Sequence, residues 1–293
     1  MTHYADFVKH YPMWLRARSL LRAGALFMLS LRQAMQERQQ AVYFTCYHHV
    51  FEDERLGFDR QLRYMRRYGE FIGLADAVAL LRANTPIDGR YLCMTFDDGY
   101  HNCLSNALPI LQEHACPAAF FIVSELADQA SQRAAGVAPA DPAGEEALLQ
   151  RILGFAGTEG RRVPFLSWAD CRQLQQAGMT IAPHTRSHRN LALLPPETVR
   201  QEMEGARADI QQHLGVRVPH IACPVGRPGV HFRPDVEPVI AEAAGFQSFF
   251  TLERGPNCQG SNPFRLKREH LCAGWGNFQI HYFLSQPCPR PAP

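Results

Sequence analysis

The sequence is nearly without lysine: of its 30 basic residues only Lys9 and Lys267 are lysines, a bias that points to genome composition more than to function. Against 28 acidic residues the net charge is only +2. No Lys/Arg block is dense enough to track a phosphate backbone, which argues against nucleic acid as a partner. No C-x-x-C pair occurs among the nine scattered cysteines, so neither a disulfide framework nor a zinc ribbon is indicated and a reducing compartment is the simpler expectation. Long hydrophobic runs are missing as well. The uncharged stretch Ala23 to Leu31 is about half a membrane span. Ser30-Leu31-Arg32-Gln33-Ala34 is a poor signal-cleavage site, so the expected location is cytoplasmic or at a membrane surface, with export left open.

What is present is an ordinary globular composition, 46% apolar and 20% charged over 293 residues, enough to bury a large core without a structural metal. A metal in such a chain serves chemistry. The arginine-studded apolar segment from 12 to 35 reads as a helix packed on the domain or as a basic amphipathic helix resting on an anionic membrane.

Ala41 to Tyr47 and Tyr91 to Phe96 are β-branched and aromatic runs that read as buried strands, with helical spacing between them at Phe58, Leu62 and Met65 and from Asp76 to Arg82. Further along, a helix over Asn106–His114 is followed by a strand at Ala118–Val123. Ser167 caps a helix over Trp168–Ala177 ahead of a strand at Met179–Ala182. A helix from Pro196 to Leu214, stopped by Gly215, then a strand at His220–Cys223, a helix at Pro234–Ala244 and a strand at Phe246–Leu252 continue the alternation. Between about 127 and 163 the Ala, Gly and Pro content predicts an irregular insertion. Strand-helix alternation means a parallel sheet, and about seven units favour a closed or nearly closed barrel over an open sheet. His48, Asp97, Asp98, His184, His188 and the Cys223–Gly226 turn all follow strand C-termini, where barrel active sites are built.

Adjacent acids at Asp97-Asp98 raise each other's pKa unless solvated or paired, and a divalent cation relieves that cost. His184 and His188, four residues apart, face one side if they share a helical turn, and two imidazoles with one carboxylate leave open positions on an ion, as catalytic sites require. Taken alone, Asp97-Asp98-Gly99 is also an ordinary turn, and the histidine pair an ordinary solvent-facing or core pair. The two together at equivalent strand ends favour the metal.

Thr95-Phe96-Asp97-Asp98-Gly99 followed by His184-Thr185-Arg186-Ser187-His188 resembles the polysaccharide deacetylases, carbohydrate esterase family 4. Tyr47-His48-His49-Val50 resembles the Tyr-His element of the branch with the bacterial poly-N-acetylglucosamine deacetylases. Segments at Asn106–Leu111, Ala118–Phe121 and Phe165–Trp168 are also similar to that branch. The resemblance implies an α/β fold, a single-domain distorted (β/α)7-type barrel of parallel strands over residues 41–285. An N-terminal helical extension, 1–40, and a tail, 286–293, lie outside it.

It further implies Asp98, His184 and His188 as ligands of one divalent ion, zinc first, and Asp97 as general base. His48 is the candidate acid for the departing amine, with packing beneath the barrel as its plainer role. Where the family has an aromatic-Pro-Tyr-Gly turn this chain has Cys223-Pro224-Val225-Gly226, which keeps the Val225 N–H for an oxyanion but loses both aromatics. Arg265 or Arg268 is expected to orient Asp97, or else to lie on the surface. The expected activity is metal-dependent removal of an N-acyl group, acetyl first, from an amino sugar, oligosaccharide or glycoconjugate. The alternatives are an inactive carbohydrate-binding or regulatory barrel and a deacylase of a non-polysaccharide substrate. A haloacid-type phosphatase is disfavoured because its two aspartates are separated by one residue, whereas Asp97 and Asp98 are adjacent.

Overall fold

The β-branched and aromatic run Ala41–Tyr47 is buried along its whole length and forms β1, the strand around which the sheet is organised. The computed structural model describes residues 3–8, 13–32, 40–83, 85–137, 141–153 and 163–288. The further strands are β2 (Glu70–Phe71), β3 (Arg90–Phe96), β4 (Ala118–Ile122), β5 (Thr180–Pro183), β6 (His220–Ala222), β7 (Ser248–Phe250) and β8 (Arg268–His270). The helices are α1 (Tyr4–Val8), α2 (Met13–Arg32), α3 (Arg55–Met65), α4 (Leu74–Arg82), α5 (Leu108–Glu113), α6 (Ser124–Ala134), α7 (Pro142–Leu153), α8 (Trp168–Gln176), α9 (Pro196–Leu214), α10 (Glu237–Ala243) and α11 (Asn277–Leu284). No helix among the described residues is long and apolar enough to cross a membrane.

All strand pairings are parallel, in the order β5-β4-β3-β1-β8, with β2 beside the start of β3 and β6-β7 a separate pair. A parallel bridge between Phe250 and Leu266 brings β7 against the approach to β8, while β5 and β6 lie side by side without a ladder. The ring of strands is thus closed in space and interrupted in hydrogen bonding. This is the distorted barrel that the alternation implies, its break falling beside β6, a strand of only three residues.

Strand residues alternate sides. Phe44, Phe121 and Phe250, from β1, β4 and β7, meet inside the barrel with ring centroids 4.8 and 5.4 Å apart. Tyr47, Phe96 and Phe120 point outward, and Phe96 stacks on Phe120 at 4.8 Å while Tyr47 meets Phe58 of α3 at 5.3 Å. Strand register then gathers the polar residues: Tyr47 pairs with Phe96 and Ile122 with Pro183, so His48, Asp97 and His184 emerge at one end of the barrel.

Three expectations need correction. The stretch around 127–163 is not irregular where it is described: α6 and α7 occupy much of it, and Leu126, Leu148 and Leu149 pack with Val123 and Phe165. Its Ala, Gly and Pro content concealed leucines at helical spacing. Residues 138–140 and 154–162 of that stretch lie outside the described residues, as do 1–2, 9–12 and 33–39 of the extension and 289–293 of the tail. Second, the cysteines are not all free, because Cys258 and Cys288 form a disulfide across 30 residues. Third, β8 and α11 carry no strong sequence period and were not expected. Ser167, which accepts from the Asp170 N–H, starts α8, and the left-handed Gly215 at φ 66° ends α9, both as expected.

Candidate active site

The end of the barrel at the strand C-termini collects the backbone strain of the molecule. Five non-glycine residues have positive φ among those described, and four of them lie here: Asp98, Thr185, His188 and Val225, at 69°, 64°, 52° and 56°. Such conformations cost on the order of 1–3 kcal/mol each and persist where surrounding structure enforces them. The positive φ of Thr185 and His188 also corrects the helical reading of the 184–188 pair. These residues form a tight turn, and the imidazoles converge because the turn folds back on itself.

Each arm of that turn is held. The His184 N–H donates to the Ile122 carbonyl at 2.8 Å, continuing the β4–β5 register. Buried Glu202 of α9 accepts from the Arg186 and Ser187 N–H groups at 3.1 and 2.9 Å and from the Ser187 hydroxyl. His184 Nδ1–H donates to the Ala222 carbonyl at 3.0 Å, which fixes the tautomer and leaves Nε2 with its lone pair.

That Nε2 stands 3.5 Å from Asp98 Oδ1, and His188 Nε2 stands 3.3 Å from the same oxygen. Asp98 Oδ1 is buried with no hydrogen-bond partner among the described residues. Two ligands each about 2.1 Å from a common ion lie roughly 3–3.5 Å apart, so the three donors fit one divalent cation and account for the orphaned oxygen. Burial alone would raise the Asp98 carboxyl, but His188, His48 and His184 hold it well below the usual carboxylate range. Burial, chiefly, lowers His184 to about 4, so its imidazole is neutral and ready to ligate near neutral pH.

Asp97 is buried beside the cluster without joining it. Fully buried Arg268 donates to Oδ1 at 2.6 Å and to Oδ2 at 2.8 Å, and the Cys46 thiol donates to Oδ2 at 3.3 Å. Burial works to raise this carboxyl, yet Arg268 and His184 outweigh it and keep it below the usual range. Oδ2 lies 3.7 Å from His184 Nε2, facing the donor cluster. Of the two arginines expected to orient Asp97, Arg268 does so, whereas Arg265 is on the surface and pairs with Glu253 at 2.7 Å.

His48 approaches from β1, its Nε2 3.9 Å from Asp98 Oδ2 and its side chain 27% exposed. The ring packs edge-on against His270, centroids 4.9 Å apart. His49 turns away, as an extended chain requires, and sits between Phe51 and Tyr100. Cys46, His48 and Asp97 form a second close group of possible ligands. Burial, and then Asp97, push the Cys46 thiol well above its ordinary pKa, and Asp97 is already occupied by Arg268, so this group is the poorer metal site.

Val225 in the Cys223–Gly226 turn is 47% exposed, and no hydrogen bond among the described residues uses its N–H. Gly226 is required there: at φ 56° an added Cβ would come 2.6 Å from the Leu252 nitrogen. A cleft of about 440 Å³ opens alongside, between His188, Leu193, Val225 and His231. Cys223 is buried in the core, as its isolation from other cysteines suggested.

Cys46, Glu202, His231 and His270 were missed from the sequence. Of these, His270 ends β8 at the position paired with Cys46, the penultimate residue of β1.

The family model described as polysaccharide deacetylase matches residues 84–245. No curated protein matches the chain by sequence. Among solved structures, IcaB from Ammonifex degensii aligns with a TM-score of 0.65 at 20% identity, covering 85% of this chain and 98% of its own. The Streptococcus pyogenes deacetylase PplD, solved in complex with acetate, gives 0.63 at 18%, covering 84% and 98%. The BpsB deacetylase domain from Bordetella bronchiseptica gives 0.59 at 20%, covering 80% and 96%. These likenesses establish the shared barrel fold.

Proposed function

The chain belongs to the polysaccharide deacetylase family, a metal-dependent one, and from that premise we propose that it hydrolyses the N-acetyl group of an amino sugar at the Asp98–His184–His188 cluster. The observation that carries this reading is the unpartnered Asp98 Oδ1 facing two imidazole nitrogens, beside a second acid held ionised by Arg268. Two imidazoles and a carboxylate suit zinc, and zinc is the ion we propose.

When bound, the ion supplies a Lewis acid for the acyl carbonyl and acidifies the attacking water. Asp97 accepts the proton of that water at Oδ2, the oxygen turned toward the cluster, while Arg268 fixes the carboxylate plane. The Val225 N–H, free of internal partners among the described residues, donates to the developing oxyanion. His48, at the solvent-facing edge of the site, gives a proton to the departing amine. The sugar beyond the reacting group rests in the cleft beside Leu193 and His231, a contact surface that replaces the aromatics lost from the 223–226 turn.

A purely binding or regulatory barrel has no use for Asp97 buried in a bidentate pair beside the ligands, so the catalytic reading is preferred. Seven of the nine cysteines are free, which suits the cytoplasmic placement kept here, although the Cys258–Cys288 disulfide suits an oxidising compartment. Recovery from the periplasm or medium overturns that placement.

Acetate release from N-acetylglucosamine oligomers tests the activity. The zinc-loaded chain is expected to release acetate and Asp97→Asn to bind zinc without releasing it. A zinc-loaded native chain that hydrolyses neither N-acetyl nor O-acetyl sugars overturns the proposal.

A further inference from the structure

The face of α2 turned away from the barrel carries no charge over the stretch where its side chains are described. On the inner side, Leu26 and Ser30 are buried, Phe27 meets Phe278 of α11 edge-on at 5.5 Å, and the Arg22 guanidinium lies 5.7 Å from the Trp275 ring centroid. At about 100° per residue the opposite arc holds Leu21, Gly24, Ala25, Met28 and Leu29. Leu21 is 76% exposed, Met28 58% and Leu29 45%, and an added Cβ at Gly24 would meet nothing within 4 Å. Apolar residues on a soluble surface are normally scattered singly, so an unbroken apolar arc marks a surface that meets something.

Charge identifies what it meets. From Phe7 to Gln36 the sequence has no aspartate or glutamate, but it has Lys9, Arg16, Arg18, Arg22 and Arg32. A second copy would set this cationic segment against itself, which is unfavourable. An anionic bilayer surface offers an apolar phase for the arc and phosphates for the cations.

The position also fits. Trp275 follows β8, at the end of the barrel that holds the site, and α1 is fastened to that end by the Tyr4 N–H, which donates to Asp53 at 2.8 Å. We propose that α2 is a membrane-surface helix: it lies in the interface of an anionic bilayer through Leu21, Ala25, Met28 and Leu29, bringing the rim of the active site to the lipid surface. It does not span the bilayer.

Flotation with the full chain tests this directly. The native chain is expected to rise with vesicles of phosphatidylglycerol and phosphatidylcholine, to stay behind with phosphatidylcholine alone, and to release partly in added salt. The doubly substituted Leu21→Glu/Met28→Glu chain, changed only at exposed positions, is expected to partition about ten-fold or more less. Its acetate release from a soluble substrate should be unchanged, whereas release from an amino sugar on a lipid carrier should fall; that second readout rests on the deacetylase reading. A native chain that does not float, floats equally on neutral vesicles, or floats no better than the double variant overturns the proposal. So does a native dimer that the double variant converts to monomer, because a second copy then covers the face. Flotation without acetate release from any substrate overturns the deacetylase reading and leaves the membrane helix standing.

Discussion

Arg268 and Asp97 face each other through both terminal guanidinium nitrogens and both carboxylate oxygens, at 2.6 and 2.8 Å, with each side chain almost wholly buried. A pair of this kind is costly to assemble and costlier to break. In the proposed mechanism its position beside an unpartnered carboxylate oxygen and two imidazoles gives it a use beyond stability, since it keeps an acid ionised and oriented toward the attacking water. Arg268→Lys keeps the charge and loses the fork, so acetate release is expected to fall about a hundredfold with metal content unchanged. Arg268→Met strands a buried carboxylate and is expected to cost about 3–5 kcal/mol in denaturant unfolding.

His48→Gln removes the proposed proton donor. Turnover of an N-acetyl substrate is expected to fall about 10²–10⁴-fold. An O-acetyl ester, whose alkoxide departs more readily than an amine, should lose much less. Equal losses on both substrates would assign His48 a packing role against His270.

Glu202 touches no reacting atom, yet it holds the Arg186 and Ser187 backbone that closes the turn between the two histidines. Glu202→Gln is expected to weaken zinc affinity about 10–100-fold, read by competition with a chelator, with kcat at saturating zinc little changed.

The 223–226 turn separates what a side chain does from what a backbone does. Val225→Gly relieves a β-branched residue at φ 56° and keeps the N–H, so stability is expected to hold or rise by about 1 kcal/mol, with activity retained. Gly226→Ala drives a Cβ into the Thr251–Leu252 backbone and is expected to cost both stability and activity, read by thermal unfolding and acetate release.

Away from the site, burial raises Glu54 from 4.5 to about 7 against the Phe51 and Gly274 N–H groups that it accepts from. The folded chain therefore holds a proton there that the unfolded chain releases above about pH 4.5. The contribution of Glu54 to stability is greatest below that value and is lost as pH rises toward 7, by up to about 1.4 kcal/mol per pH unit. Glu269, raised to about 7 mainly by burial, adds to the same slope. Glu54→Gln is expected to flatten the fall in Tm between about pH 5 and 7, and an unchanged slope would contradict it.

Much of this was written locally in the chain. Apolar periodicity gave most of the strands and helices, and the strand-terminal positions of Asp97, Asp98, His184 and His188, which the fold brings together, marked the candidate site from the residues alone. Legibility failed where contacts are long-range. Whether Arg265 or Arg268 reaches Asp97 depends on the β1–β8 register, since each is a basic residue of the same short segment. Glu202 looks in sequence like one more charge on a surface helix, and only the packing of α9 against β5 turns it inward. The 184–188 spacing suggested a helical turn because left-handed Thr185 and His188, neither of them glycine, leave no compositional trace.

The central claim is that Asp98, His184 and His188 share one ion. Anomalous diffraction from crystals soaked in zinc tests it most directly. The expected result is a single strong peak about 2.0–2.2 Å from one oxygen of Asp98 and from Nε2 of both histidines, absent in Asp98→Asn. A peak instead among Cys46, His48 and Asp97, or none at this end of the barrel, would contradict it.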